Sequence, residues 1–244
     1  VECALFTARD MFVNLPTGCG KSLLFFLYAL HHQSKAVLVV VPTVSLQVDL
    51  VRRSLSFGTN AVDNCDDWAR GTILFATPEL IDTTRFHQAL SGLVSREAVG
   101  RVFVDEAHYY YLQRDFRESC KKLGLLRLGG QPVTFLSATM SPSCFEYLAS
   151  LFFCELDETV VLRKPPVLFN HSYRVERYTD NFSVVLIAVK QEFDLMSVGK
   201  VIVFVRSKDL CRALADRMKS SVAETFLLVG GLDVDAVRPV TDAF

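Results

Sequence analysis

The sequence predicts an α/β fold in which a parallel sheet is flanked by helices. Three observations lead there. Short runs rich in β-branched and aromatic residues recur with little polar alternation, the pattern of strands buried on both faces. Helix-like stretches separate them, and strands alternating with helices call for right-handed crossovers within one sheet. Each of the first five runs is followed at once by polar residues, and open α/β sheets bind ligands beyond the carboxyl ends of their strands.

In chain order, MFVN is the first expected strand, and PTGCGKS leads from it into an expected helix over Lys21 to Gln33. AVLVVV follows, then PTVSLQVD opening a helix over Val44 to Ser56. TILFA precedes TPEL, RVFV precedes DEAH, and VTFL precedes SAT. Helices are expected over Phe116 to Leu126 and Ser143 to Phe152. The paired prolines of RKPP, Arg163 to Pro166, break the rhythm and mark a domain boundary, with one domain over 1–165 and another over 166–244. Beyond it come an expected strand, KVIVFV, and a helix over Asp209 to Met218. One or two such units are too few for a complete sheet of this type, so the second domain is expected to be incomplete.

Composition bounds the function. The chain has 244 residues, 50% of them hydrophobic and 22% charged, enough for a large core in one or two domains. Apolar runs such as LLFFLYAL fall well short of the ~20 residues of a membrane span, so no transmembrane helix is expected. The first residues do not read as a secretory signal. Seven scattered cysteines without a CxxC pair indicate reduced, intracellular thiols rather than a zinc site. A net charge of -1 means that nucleic-acid binding would have to be local.

The chemistry lies at the strand ends. In PTGCGKS, the segment Pro16, Thr17, Gly18, Cys19, Gly20, Lys21 and Ser22 has the makings of a phosphate cradle. Gly18 and Gly20 let backbone N–H groups form a nest, Lys21 offers a charge to the β- and γ-phosphates, and Ser22 offers a hydroxyl to magnesium. The alternative is a plain glycine-rich turn. In DEAH, Asp105 would hold magnesium and Glu106 would orient and deprotonate the attacking water. His108 reads either as a coupling residue beside the nucleotide or as a capping or core histidine. Ser137 and Thr139 of SAT read as a strand-to-helix cap or as part of the same site.

These segments resemble superfamily 2 helicases, and within them the RecQ family. LPTGCGKSL resembles motif I, VVVPTVSLQVDLV motif Ia with Ser45, Leu46 and Asp49 in register, and ATPEL the TPE motif. DEAH is motif II and LSATM resembles motif III; DFRESCKKLGLLR, Asp115 to Arg127, resembles the DFR and LGLLR residues that follow motif II. KVIVFVRSKDLCRALADRM resembles motif IV, and VGGLDVDAVRPVTDAF resembles the helical segment after it.

The resemblance implies a RecA-like P-loop NTPase domain followed by a partial second RecA-like domain. It implies ATP and Mg2+ held by Lys21, Ser22, Asp105 and Glu106, phosphate contacts from Ser45 and Thr77 to single-stranded or forked DNA, and relay through Ser137 and Thr139. It also implies 3′ to 5′ polarity and, in a eukaryote, a nuclear location. Arg114, Arg117, Lys121, Lys122 and Arg127 form a candidate basic cluster for the DNA, or else a solvated face. YYYLQR stands where the family carries a tryptophan-centred aromatic loop, and Tyr109 to Tyr111 are candidates for base stacking or for core. Motifs V and VI, with the arginines that complete the site, are expected beyond Phe244. Such an arginine is worth roughly 10³ to 10⁵ in turnover, so slow hydrolysis and little unwinding are expected of these residues alone. Two other readings stay open: a nucleic-acid-binding scaffold that has lost catalysis, and an RNA helicase.

Overall fold

The computed structural model describes residues 7–127, 129–165, 172–175, 177, 182–194 and 201–219. Two compact units are present, Val1–Asn170 and His171–Phe244. The first is built on a seven-stranded, all-parallel sheet comprising β1 (Met11–Asn14), β2 (Ala36–Val40), β3 (Asn60–Val62), β4 (Thr72–Ala76), β5 (Val99–Val104), β6 (Val133–Ser137) and β7 (Val160–Arg163), in the order β3-β4-β2-β5-β6-β1-β7. The α/β expectation is met.

Side chains alternate across each strand and so serve two cores. Met11, Val13, Val37, Val39, Phe75, Phe103 and Leu136 point to one face, covered by α1 (Leu23–His31) and α2 (Val44–Ser56) through Leu24, Phe25, Phe26 and Leu50. Phe12, Leu38, Val40, Leu74, Val102, Val104 and Phe135 serve the other. That face is covered by α4 (Thr84–Val94), α5 (His108–Gln113), a 3₁₀ segment (Glu118–Arg127) and α6 (Pro142–Leu151), while α3 (Pro78–Ile81) is a single turn after β4. Burial on both faces explains why the inner strands read as unbroken apolar runs.

Local chemistry sets the helix starts. Thr43 Oγ1 accepts from Leu46 N at 3.3 Å to cap α2, Thr83 Oγ1 from Phe86 N at 3.2 Å to cap α4, and Ser141 Oγ from Cys144 N at 3.2 Å to cap α6. Each such cap contributes about 1 kcal/mol.

Two expected elements differ. Phe116 to Leu126 was expected as an α-helix, but Glu118–Arg127 is 3₁₀. Cys120, Leu123 and Leu126 are all fully buried, a spacing of three that suits three residues per turn. Gly124 also sits so close to the end of α6 that an added Cβ would lie 2.2 Å from Leu151 O. The expected strand KVIVFV is not one over residues 201–205, which have no regular structure, with Ile202 and Phe204 exposed. A strand needs a hydrogen-bonding neighbour, and none occurs among the described residues of this second unit.

The second unit contains α7 (Phe182–Asp194), not anticipated from sequence, and α8 (Lys208–Lys219), close to the expected Asp209 to Met218 and burying Leu214, Ala215 and Met218. The motif-like segment VGGLDVDAVRPVTDAF lies outside the described residues. No helix among the described residues is long and apolar enough to cross a membrane.

Candidate functional site

The strand register brings the five polar segments to one edge. Asn14 is level with Ser137 across the β1–β6 pair, and Val104 with Phe135 across β5–β6. Hydrogen bonds continue past the strand ends, with Leu15 N donating to Ser137 O at 3.0 Å, Asp105 N to Val40 O at 2.9 Å, Ala107 N to Leu136 O at 2.8 Å and Val41 N to Ala76 O at 2.9 Å. Because β1 and β5 both pair with β6, their ends lie two strand spacings, about 10 Å, apart.

After β1 the backbone turns through Gly18 and Gly20, whose φ angles of 78° and 79° are left-handed and cost a side-chain-bearing residue strain. An added Cβ on Gly18 would meet nothing within 4 Å, so backbone conformation rather than crowding demands glycine there. Pro16 is buried, and Thr17, Gly18, Cys19 and Gly20 are exposed, presenting main chain to solvent. Lys21 is 9% exposed; its Nζ donates to Leu15 O at 3.0 Å and Pro16 O at 3.2 Å. Ser22 occupies the N-cap position of α1 but makes no side-chain capping bond, which leaves its hydroxyl available to a ligand.

After β5 come the two carboxylates. Asp105 is 5% exposed, and burial, then the neighbouring Glu106 charge, pushes its carboxyl up from 3.8 to about 6. The Glu106 N–H, which donates to Asp105 Oδ1 at 3.0 Å, and the charges of Lys21 and Arg53 work the other way. Of these two charges, Lys21 is the one held beyond β1, and it favours the ionised Asp105 carboxylate. Glu106 has φ 45°, a left-handed conformation rare outside glycine and of the kind that clusters at functional sites. Its Oε2 lies 3.4 Å from His108 Nδ1, which is hydrogen-bonded at 3.0 Å to Ser137 Oγ; that oxygen accepts from Thr139 N at 3.1 Å. The same His108 nitrogen thus lies between Glu106 and Ser137, and Ser137 in turn holds Thr139. Ser137 is fully buried and Thr139 exposed.

The donor set fits a magnesium triphosphate. Among the described residues no group of three or more His, Cys, Asp or Glu side chains is placed to hold a metal. Magnesium usually takes one or two protein oxygens and fills its remaining positions with phosphate and water. Ser22 and Asp105 offer such hard oxygens.

Ser45 is exposed in the first turn of α2, and Thr77 is 5% exposed just before α3. The expected basic cluster is charge-balanced. Arg114 lies 3.8 Å from Asp115 and stacks over Tyr111 at 4.1 Å, Lys121 bonds Glu118 at 2.7 Å, Lys122 bonds Asp82 at 2.7 Å, and Arg127 pairs with Asp10. Arg117 forms a two-pronged ion pair with Glu79, which holds the Glu79 carboxyl below its usual range. Reading charge along the chain could not reveal Glu79, Asp82 and Asp10 as partners, each of them distant in sequence. Of the three tyrosines, Tyr110 is fully buried, whereas Tyr109 and Tyr111 are half-buried beside arginines. Sequence reasoning missed Phe116, an aromatic 87% exposed within the DFR segment.

A family model described as DEAD/DEAH box helicase matches residues 1–146. The mouse ATP-dependent DNA helicase Q5 is 31% identical over 242 residues, covering 87% of this chain and 24% of that protein. The budding-yeast ATP-dependent helicase SGS1 is 26% identical, covering 99% of this chain and 18% of its own length. The probable ATP-dependent DNA helicase RecS of Bacillus subtilis is 27% identical, covering 90% and 46%. The chain therefore spans between about a fifth and a half of these relatives. Among solved structures, yeast Dbp5 bound to RNA and ADP BeF3 has a TM-score of 0.71 at 18% identity, covering 96% of this chain and 62% of that one, a likeness of fold.

Proposed function

Because the chain belongs to the DEAD/DEAH box helicase family, with RecQ-like DNA helicases among its relatives, we propose that it carries the ATP-binding part of a RecQ-type DNA helicase or translocase, moving 3′ to 5′ on single-stranded or forked DNA. Residues 1–165 form the ATP-binding domain in this reading, and 166–244 begin a second RecA-like domain. The protein acts inside the cell, and in the nucleus if its source is eukaryotic.

The observation that supports this best is that Lys21 and Asp105 follow β1 and β5, the two strands that flank β6, with His108 Nδ1 placed between the Glu106 carboxylate and Ser137 Oγ. Lys21 and the N–H groups of the Gly18 to Ser22 turn bind the triphosphate, and Ser22 and Asp105 hold Mg2+. The metal, when bound, supplies neutralisation of the phosphate oxygens. Glu106, which follows β5 in a left-handed backbone conformation, accepts the proton of the attacking water. His108 reports the state of that carboxylate to Ser137, whose hydroxyl fixes Thr139. Ser45 and Thr77 contact strand phosphates without reading bases, while exposed Phe116 offers a stacking surface.

The test is ATP turnover with and without single-stranded DNA or RNA, on the full protein that carries these residues and on its Glu106→Gln variant. Stimulation by DNA that the variant abolishes is expected. Turnover indifferent to every polynucleotide would remove the helicase reading, and stronger stimulation by RNA would replace DNA with RNA as the track.

A further inference from the structure

We propose that the outer edge of β7, with the pocket beside it, docks an extended segment of a partner protein. That segment adds a strand to the sheet, seats an aromatic side chain in the pocket and offers a carboxylate to Arg163. β7 ends the strand order, with β1 as its one neighbour among the described residues. Val160 N donates to Asp10 O at 2.9 Å and Lys164 N to Asn14 O at 3.0 Å, both toward β1. Backbone groups alternate sides along a strand, so the N–H and C=O of Val161 and Arg163 face outward. Unpaired groups in such a row are a template for another strand.

The pocket lies beside the same two residues. Val161 and Arg163, two apart and so on one face of the strand, line it with Phe12, Met140, Pro142 and Phe145 around a cavity of about 240 Å³. The Phe12 and Phe145 rings, 4.2 Å apart, give it an aromatic wall. An apolar cavity of about 150 Å³ already takes benzene, so this one has room for a phenyl side chain. Val161 itself is 53% exposed, apolar surface that an added strand covers.

Charge selects the partner. Positive residues on an edge repel further strands in general, but Arg163 and Lys164 are exposed, of one sign, and without an ion-pair partner among the described residues. They reject basic segments and favour acidic ones. A carboxylate two residues from the aromatic ring shares its face of the added strand and stands at Arg163. The same two cations attract DNA, which leaves the strand edge unpaired, and this difference separates the two ligands experimentally.

The experiment follows the fluorescence polarisation of a labelled peptide, Thr-Glu-Val-Phe-Val-Glu-Thr, on the full protein that carries these residues. Its acids flank the ring symmetrically, so it fits in either strand direction. A dissociation constant of about 100 µM or tighter is expected, with slowed amide exchange at Val161 and Arg163. Alanine in place of the peptide's phenylalanine should weaken binding about tenfold or more. N-methylation of one set of alternate residues should abolish binding, and of the other set leave most of it, because only one set faces β7. Arg163→Glu should weaken binding about fivefold or more and prefer the peptide with lysine in place of glutamate. No binding at about 1 mM, indifference to both N-methylated sets, or protection that spares 160–164 would overturn the proposal. Displacement by single-stranded DNA of a peptide that tolerates both N-methylations would assign the cations to nucleic acid and overturn it equally. Should Arg163→Glu fail to fold by thermal melting, the peptide variants, which leave the protein untouched, decide the matter alone.

Discussion

Replacing Asp105 with asparagine is predicted to stabilise the nucleotide-free protein at neutral pH while weakening magnesium-nucleotide binding. The carboxyl is 5% exposed and titrates at about 6 rather than 3.8, because burial and Glu106 disfavour its charge. Between those two values the native protein holds a proton that the unfolded chain has released. Stability therefore falls as pH rises through that window, and the loss persists above it. At 1.36 kcal/mol per pH unit, the gap corresponds to about 3 kcal/mol. Asparagine has no charge to bury, and its amide oxygen can still accept from the Glu106 N–H, which now bonds Asp105 Oδ1 at 3.0 Å. Urea unfolding of both proteins from pH 4 to 7.5 should show an advantage for Asp105→Asn that is small at the acid end and grows to about 3 kcal/mol at the neutral end. Mg-ATP should then stabilise the wild type more than the variant. An advantage independent of pH, or a variant less stable than wild type at pH 7.5, would refute the claim that this carboxylate is held at a cost for function.

Glu106→Gln should keep nucleotide affinity within a few fold while lowering turnover by about 10² or more, the range for loss of a general base, as read by steady-state kinetics against equilibrium binding. Gly124→Ala should destabilise by about 1–3 kcal/mol or more, because the new Cβ would lie 2.2 Å from Leu151 O, a backbone atom that cannot give way cheaply. Gly92→Ala in α4 meets nothing within 4 Å and should stabilise by roughly 0.5–1 kcal/mol in the same urea titration.

Those parts of the fold whose physics is local could be read from sequence. β1, β2, β4, β5 and β6 are buried on both faces and so appear as apolar runs, and the glycine pair before Lys21 announces its turn directly. The edge strands β3 and β7 were missed because NAV and VVLR are short, and they are only partly buried. The 3₁₀ segment had a readable signal in the spacing of Cys120, Leu123 and Leu126, masked by the helical look of the surrounding residues. KVIVFV shows the opposite failure, since strand propensity alone does not make a strand and no neighbouring strand lies among the described residues of its unit. At the site, residue types on the strand ends were legible, whereas charge pairing was not. Arg117 reads along the chain as unpaired charge, but Glu79, from the single turn of α3 38 residues earlier, lies beside it. Arg101 is the clearest case of sequence silence. It sits fully buried inside the apolar strand β5, its Nη1 donating to Arg9 O at 3.2 Å and Thr134 Oγ1 at 2.7 Å and its Nη2 to Thr7 O, while Nε is left without a partner.

The central claim is that Lys21 and Asp105 serve a single magnesium-bound triphosphate. A double-mutant cycle on nucleotide affinity, with Lys21→Ala, Asp105→Asn and the pair, measured in magnesium and again in excess EDTA, tests it directly. The account predicts losses that fall short of additive by about 1 kcal/mol or more in magnesium, with the coupling collapsing once the metal is removed. Additive losses under both conditions would place the two residues in separate sites and contradict it.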